Sequence, residues 1–369
     1  MSFRKIGFSL PLIAIIAASA LGQSRRVAPS PPTTPKDDES VRVMTEEVKL
    51  NVLAFDEEGK FVGDVKERDV VITENNILHQ PTSVRRLPAT VLIVMDTGGE
   101  MRQVKSLDQT RRTARGIVTA LRPGDMIAVL QYSDTTEIVS EWTDNKEETL
   151  KAIGRTKFGR RSMFVDAVNK SIDFLMKSGL DNKHLVLITD GTDSTADADV
   201  KKRALNRLLS TDISVHVISY TQMEATDITP RTKSASNTPP PSALPPEVAA
   251  QLPNGVRDIA TAPKFKTINL DRTMLRRLKA RKADLERTET QLERIAENTN
   301  GEMIVPTSLD EMVEKSALVA KMIDASYVVT YVPKIPLTEN SAERNIEVTS
   351  KRPGLIIQAR RKLIVSSGN

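Results

Sequence analysis

Two continuous apolar runs that each end in an acid constrain the fold of this chain most. They read "TVLIVMD" at residues 90–96 and "KHLVLITDG" at residues 183–191. Such runs are typical of strands that are covered on both faces, as in parallel sheets. Helix-like segments separate these runs from each other and from a third, "ISVHVISYT" at residues 213–221. The alternation predicts an α/β fold with a doubly wound, mostly parallel sheet.

The two ends of the chain have the shorter, alternating pattern of antiparallel strands. Residues 41–65 alternate around a turn at "DEEGK", and the tail contains "YVVTYVP", "RNIEVTSK" and "GLIIQARRKLIV". We therefore predict that residues 41–88 and 326–369 pair in one small antiparallel β module. The α/β domain, residues 89–325, is expected to be inserted between these two segments.

The first 22 residues have the composition of a secretory signal peptide. Basic residues precede an apolar stretch, and small residues favour cleavage after Ala20 or Gly22. The alternative is an uncleaved membrane anchor, but the stretch is short and Pro11 interrupts it. Residues 23–40 are rich in proline and predict a flexible linker. The mature protein is expected outside the cytoplasm, periplasmic or secreted, with no stable membrane span.

Two later segments depart from the α/β pattern. Residues 226–263, which include "TPPPSALPPE", predict a disordered, proline-rich insertion. Residues 270–301 predict a long helix whose charges are mixed in sign. We interpret it as a solvated helix rather than as a site for an anionic partner.

The composition excludes several classes of function. The chain contains no cysteine, which excludes disulfides, thiol catalysis and cysteine-bound zinc. Its three histidines, His79, His184 and His216, are well separated and do not favour a histidine-based catalytic or zinc site. Aromatic residues make up 4% of the chain and no dense basic stripe accompanies them, so nucleic-acid binding is not expected.

Three oxygen-bearing side chains are expected to meet at one edge of the predicted sheet. Asp96 and Asp190 each follow a buried strand, and Ser162 lies in the loop "FGRRSMFVDAV" at the start of a helix. Ligands of open α/β sheets bind at the carboxyl ends of the strands. Carboxylate and hydroxyl oxygens suit Mg²⁺, whose remaining positions would be filled by water and an oxygen of a partner.

These residues resemble the von Willebrand factor type A (VWFA) domain, over about residues 89–325. In that family a metal-ion-dependent adhesion site carries Asp-x-Ser-x-Ser after the first strand, a Thr in a later loop and an Asp after the fourth strand. Asp96 and Asp190 match the two Asp positions, and Ser162 stands where the Thr would be. The outer segments, with "DEEGKFVGDVKERDVVITENN" and "KRPGLIIQARRK", are similar to the bacterial secreted subfamily called VWFA-related.

The opening motif departs from the family, because Gly98 and Glu100 occupy the two serine positions. Glu100 could bind the ion directly, could face solvent and leave a weak site, or could belong to a site without metal. The predicted ligands of Mg²⁺ or Mn²⁺ are Asp96, Glu100, Ser162 and Asp190. The nearby arginines that could replace the metal are Arg102, Arg160 and Arg161.

The resemblance implies a protein that mediates protein–protein interaction or adhesion rather than an enzyme. In family members that keep the ion, the ion accepts a carboxylate from the partner. One alternative is a metal-free structural component of an envelope assembly. Another is a Mg²⁺-dependent hydrolase, which is disfavoured because Gly98 stands where one phosphatase and dehalogenase superfamily has a second acid. No nucleophile activated by a base is visible in the sequence.

Overall fold

The computed structural model describes residues 47–99, 107–233, 235–236, 250–251, 253, 267–268, 272–336 and 343–364. Several predicted features lie outside the described residues: the signal peptide 1–22, the linker 23–40, residues 41–46, Glu100, Arg102 and most of the insertion. Within the described part of the chain, no helix combines the length and apolar character that crossing a membrane requires.

The strands and helices are numbered in chain order. The strands β1–β16 are Val48–Phe55, Val70–Glu74, Ile77–His79, Ser83–Arg85, Thr90–Asp96, Met126–Tyr132, Thr136–Thr143, Lys183–Thr189, Ser214–Ser219, Ala235–Ser236, Thr267–Ile268, Met303–Ile304, Ser326–Tyr331, Glu343–Ser350, Ile356–Ala359 and Lys362–Ile364. The helices α1–α7 are Leu107–Ala120, Lys146–Arg155, Phe164–Lys177, Ala198–Leu209, Thr221–Arg231, Arg272–Asn298 and Leu309–Asp324.

A six-stranded sheet has the order β12-β9-β8-β5-β6-β7. Neighbouring strands are parallel except β7, which pairs antiparallel with β6 at one edge. Every residue of β5 and β8 is buried, because α3, α4 and α6 cover one face and α1, α2, α5 and α7 cover the other. A strand that is apolar throughout places apolar side chains on both faces of the sheet, so both faces must be covered. The predicted α/β fold class is confirmed.

Two further antiparallel sheets, each of four strands, are built from both ends of the chain. Their orders are β15-β1-β13-β4 and β16-β14-β2-β3. Strand β1 pairs with β13 on one side and with β15 on the other, and β14 pairs with β2. The two sheets share one apolar core, to which Leu50, Ile72, Val329 and Val348 contribute.

Strand β1 also contacts the amino ends of the parallel strands. The Asn51 side-chain amide donates to Ser214 Oγ at 3.2 Å and to the carbonyl of Lys183 at 3.3 Å. The Asn300 amide in turn donates to the carbonyl of Asn51 at 2.9 Å. The described residues all belong to one compact unit of the chain.

The prediction that residues 226–263 lack regular structure is wrong at their start. Helix α5 continues to Arg231, with Pro230 in its last turn. Ile228 is buried and packs with Leu278 and Leu285 of α6. The stability of this helix therefore comes from its contact with α6, which local composition does not reveal. Beyond it, β10 and β11 form a short antiparallel pair.

Candidate functional site

The carboxyl edge of the parallel sheet brings three buried polar residues onto neighbouring strands. Asp96 ends β5, Asp190 directly follows β8, and Tyr220 directly follows β9. The register aligns Met95 with Ile188 and Ile188 with Ile218, so these strands end at the same level. All three side chains are almost completely buried. The sequence predicts Asp96 and Asp190 at this edge.

Asp96 is held by hydrogen bonds to both of its carboxylate oxygens. The Tyr220 hydroxyl donates to Oδ2 at 2.7 Å, and the backbone N–H of Gly98 donates to Oδ1 at 3.2 Å. Hydrogen bonds to a carboxylate are stronger than those between neutral groups, so they fix the orientation of the side chain. Tyr220 was not identified from the sequence.

Asp190 is also held on both oxygens, by a neighbouring threonine and by a distant arginine. Thr192 donates to Oδ1 through its backbone N–H at 2.8 Å and through its hydroxyl at 2.7 Å. Arg281 Nη2 donates to Oδ2 at 2.7 Å. Because Arg281 comes from α6, a helix distant in sequence supplies the positive charge beside this acid.

Arg281 makes two further contacts that complete a buried polar cluster. Its Nη2 also donates to Glu224 Oε2 at 2.8 Å, and its Nη1 donates to Thr192 Oγ1 at 2.6 Å. The Asp190 and Glu224 side chains are each 1% exposed, and that of Arg281 is 17% exposed. Two buried carboxylates therefore share one guanidinium, and this pairing offsets part of their desolvation cost.

Helix α6 reaches this edge because residue 191 has no side chain. Gly191 has φ +65°, and a Cβ there would lie 2.6 Å from Thr288 Cγ2 and 2.8 Å from Leu292 Cδ1. The positive φ and the close approach of α6 both require glycine. The helix is fixed further by the Lys201 ammonium, which donates to Thr288 Oγ1 at 2.7 Å.

Ser162 lies beside the loop that follows Asp190. Its hydroxyl donates to the carbonyl of Thr192 at 3.1 Å, and its backbone N–H donates to Ser194 Oγ at 2.9 Å. The side chain is buried. Ser162 thus orders the same loop whose Thr192 hydroxyl contacts both Asp190 and Arg281.

The loop of residues 159–161 occupies the space that a side chain at position 98 would need. A Cβ on Gly98 would lie 1.7 Å from the carbonyl oxygen of Arg161 and 2.8 Å from Cα of Ser133. The loop is fixed there by hydrogen bonds from Gly99 N to Arg160 O at 3.0 Å and from Gly159 N to Thr97 O at 3.1 Å. A serine hydroxyl cannot be supplied at position 98 unless this loop moves.

The described residues do not fit a divalent cation as they stand. The Arg281 guanidinium pairs with Asp190 Oδ2 and would repel a metal ion at the same place. Asp96 is held by Tyr220 and Gly98 N, and position 98 cannot supply a hydroxyl. Among the described residues, no group of three or more acidic, histidine or cysteine side chains could hold a metal. Glu100, the fourth predicted ligand, lies outside them.

Among the described residues, Arg281 pairs with the buried acids, and sequence analysis does not name it; Arg102, one of the three arginines that it names, lies outside the described residues. Arg160 and Arg161 are exposed, and neither side chain forms an ion pair within the described ranges. Their backbone N–H groups donate to the two oxygens of Asp134 at 2.9 and 3.1 Å. The interpretation of α6 as a solvated helix is wrong for Arg281, which lies on its buried face.

The three histidines lie away from this edge. His184 and His216 form a buried pair at 3.1 Å, and His184 Nε2 contacts Asn182 Oδ1 at 2.9 Å. Burial lowers the pKa of His216 to about 4 and holds the pKa of His184 well below its usual range. His79 is buried in the antiparallel sheets, where burial lowers its pKa. His184 and His216 are thus hydrogen-bonded to each other inside the sheet.

Comparison with known proteins identifies the α/β region. The family model of the von Willebrand factor type A domain matches residues 90–238. No protein of curated function matches the chain.

Among solved structures, the fold is similar to three bacterial proteins. A von Willebrand factor type A protein from Catenulispora acidiphila is 9% identical, with 88% of this chain and 75% of that chain covered and a TM-score of 0.43. An aerotolerance-related membrane protein from Bacteroides fragilis is 15% identical, with 64% and 98% covered and a TM-score of 0.39. The conserved hypothetical protein BatB from Bacteroides thetaiotaomicron is 16% identical, with 63% and 98% covered and a TM-score of 0.36.

Proposed function

Because residues 90–238 of this chain form a von Willebrand factor type A domain, we propose that the protein is an exported protein-binding module that needs no metal ion at the carboxyl edge of its sheet. Domains of this type have interaction and adhesion roles. The leader-like composition of residues 1–22 supports export. The proposal places the protein in the periplasm or outside the cell, in the bacterial secreted VWFA-related subfamily.

The observation that carries the proposal is the pair of exposed arginines beside the buried acids. Arg160 and Arg161 project from a loop whose backbone is fixed to Asp134 and to the residues that follow β5. A guanidinium binds carboxylates with two parallel hydrogen bonds and is weakly hydrated, which suits it to protein interfaces. In this proposal these arginines meet the carboxylates of the partner, which a metal ion would otherwise bind.

A hydrolytic role is less favoured by the same geometry. A catalytic Asp must be able to reach the substrate, whereas the Tyr220 hydroxyl and the Gly98 N–H hold the Asp96 carboxylate in a fully buried position. Arg281 pairs with Asp190 Oδ2, and its positive charge opposes the binding of a magnesium ion beside this acid. The described histidines lie elsewhere and supply no general base at this edge.

The proposal is tested by reversing the charge of the exposed loop. The mature protein is recovered from the envelope or medium, its first residue is sequenced, and a bound partner is isolated and purified. We expect the chain to begin at Leu21 or Gln23. Arg160→Glu combined with Arg161→Glu should weaken partner binding at least ~10-fold, because each lost charge pair weakens the complex, and EDTA should leave binding unchanged.

The matched control is the double reversal Lys202→Glu and Arg203→Glu, at two adjacent exposed residues of α4. It changes the net charge by the same amount, so it should bind like the wild type. Equal weakening by both double variants would show that only the overall charge matters. Loss of binding in EDTA would show that a metal ion mediates the contact.

A further inference from the structure

We propose that the Arg281 guanidinium is the permanent cation of this site and takes the place of a divalent ion. Arg281 neutralises Asp190 and Glu224 whichever protein binds to the edge. The fold holds this cation covalently through α6. The site therefore cannot be emptied by a chelator.

The contacts of Arg281 reproduce what a metal ion would do for these acids. One nitrogen, Nη2, lies within 2.8 Å of an oxygen from Asp190 and of an oxygen from Glu224. The two negative oxygens are therefore less than about 6 Å apart, where they repel each other strongly in a buried setting. The second nitrogen, Nη1, contacts the Thr192 hydroxyl at 2.6 Å. Carboxylates and a hydroxyl are the donor types that Mg²⁺ prefers.

Helix α6 holds the guanidinium in place by packing on both sides of it. Leu278 and Leu285 are buried, and residues 278, 281 and 285 share one face because they are three and four positions apart. Gly191 lets Thr288 and Leu292 approach the loop next to Asp190. Arg281 therefore reaches the acids from a fixed helix, and its side chain loses little additional freedom when it binds them.

A divalent ion and Arg281 exclude each other at this place. The ion and the guanidinium would both contact Asp190 Oδ2 and Glu224 Oε2, and the two positive charges would repel each other. A guanidinium also keeps its charge at every pH at which the protein is folded. Asp190 and Glu224 should therefore become a metal site only when the arginine is removed.

The test compares Mn²⁺ binding by the wild type and by Arg281→Met, which keeps the aliphatic stem and removes the charge. Both full chains are treated with EDTA, dialysed and titrated with Mn²⁺ alone, with calorimetry, electron paramagnetic resonance and thermal unfolding as measurements. We expect the wild type to bind no Mn²⁺ at this edge and to keep its Tm. Arg281→Met should unfold at a lower Tm in EDTA, bind one Mn²⁺ and regain stability.

Two further variants decide the outcome if Arg281→Met folds poorly. Adding Glu224→Gln to Arg281→Met should weaken Mn²⁺ binding at least ~10-fold, since one charged ligand is lost. Adding Asp190→Asn as well removes both buried charges, so the triple variant should fold without metal. If the triple variant is as unstable as Arg281→Met, Arg281 acts by packing and the proposal is overturned. Wild-type Mn²⁺ binding that is lost in Asp190→Asn would overturn it as well.

Discussion

Arg344 and Arg281 each pair with buried carboxylates, the first in the antiparallel sheets and the second in the α/β domain. In the antiparallel sheets, Arg344 donates to Glu74 and to the carbonyls of Ile335 and Pro336. At the carboxyl edge of the parallel sheet, Arg281 is shared between Asp190 and Glu224. In the first cluster one arginine pairs with one acid between the two antiparallel sheets. In the second, one arginine pairs with two acids.

The two clusters differ in the element that brings the arginine to its acid. Glu74 and Arg344 sit on the paired strands β2 and β14, whose register places Ile346 opposite Glu74. Arg344 is two residues from Ile346 and therefore lies on the same face of the sheet, diagonal to Glu74. The pairing of the two strands thus brings this ion pair together. Arg281 reaches its acids from a helix that no strand register controls, and it meets them at a strand edge where proteins of this fold bind ligands. The first cluster lies within the core of the antiparallel sheets, whereas we propose that the second occupies the place of a bound ion.

The largest effect is expected from breaking the cluster in the antiparallel sheets. Arg344→Met should lower the free energy of unfolding by ~3–5 kcal/mol, because Glu74 would remain buried without its cation. Chemical denaturation measures this. Adding Glu74→Gln should recover much of the loss, since no buried charge then remains.

The control for this variant is Arg352→Ala, which removes an exposed pair with Asp64. Such an exposed pair contributes little to the free energy of unfolding, because water and salt screen it. A loss from Arg344→Met no larger than the loss from Arg352→Ala would contradict the view that Arg344 neutralises a buried charge.

A smaller effect, which depends on pH, is expected from the buried histidine pair. The Glu302 N–H donates to His216 Nδ1 at 3.3 Å, so His216 carries its proton on Nε2 and donates to His184. Both histidines are thus neutral in the folded state. Burial lowers the pKa of His216 from 6.5 to about 4. The contribution of neutral His216 to the free energy of unfolding is therefore fully present above pH 6.5. The contribution falls as the pH drops towards 4, because the unfolded chain takes up the proton first.

Between pH 6.5 and about 4, protonation linked to His216 alone should lower the free energy of unfolding by ~3 kcal/mol. His216→Gln can still accept from Glu302 N–H and donate to His184, but it cannot titrate in this range. Its unfolding free energy, measured by denaturant between pH 4 and 7, should fall less steeply than that of the wild type. Parallel curves for the two proteins would show that the pH dependence arises elsewhere.

The smallest effect of the three is expected from restoring a serine at the edge. Gly98→Ser should cost ~1–3 kcal/mol, because its Cβ would collide with the backbone of Arg161 and the loop would have to shift. Thermal and chemical unfolding measure the cost. Gly63→Ser is the matched control, since a Cβ there would meet only Phe61 at an ordinary 3.5 Å. An equally small effect at both positions would show that the loop yields easily.

Sequence alone could predict the parallel sheet and the positions of Asp96 and Asp190, because a buried strand and the acid after it are local features. It could not predict that Arg281 or Glu224 joins them. Both lie on helices, and a charged residue on a helix is most often solvated. One signal was present: Arg281 lies three residues after Leu278 and four before Leu285, on the apolar stripe of α6. A charge on such a stripe predicts a buried partner, but only the fold identifies it.

The pairing of β1 has a consequence for the growing polypeptide. Both of its neighbours, β13 and β15, come after the whole α/β domain. When β1 leaves the ribosome, neither neighbour has yet been synthesised, so its backbone groups cannot be paired within the sheet. Contacts between such distant segments form slowly and leave an unpaired strand open to aggregation. A chain truncated before residue 326 would retain β1 without either partner, and such a fragment should depend on chaperones to stay soluble.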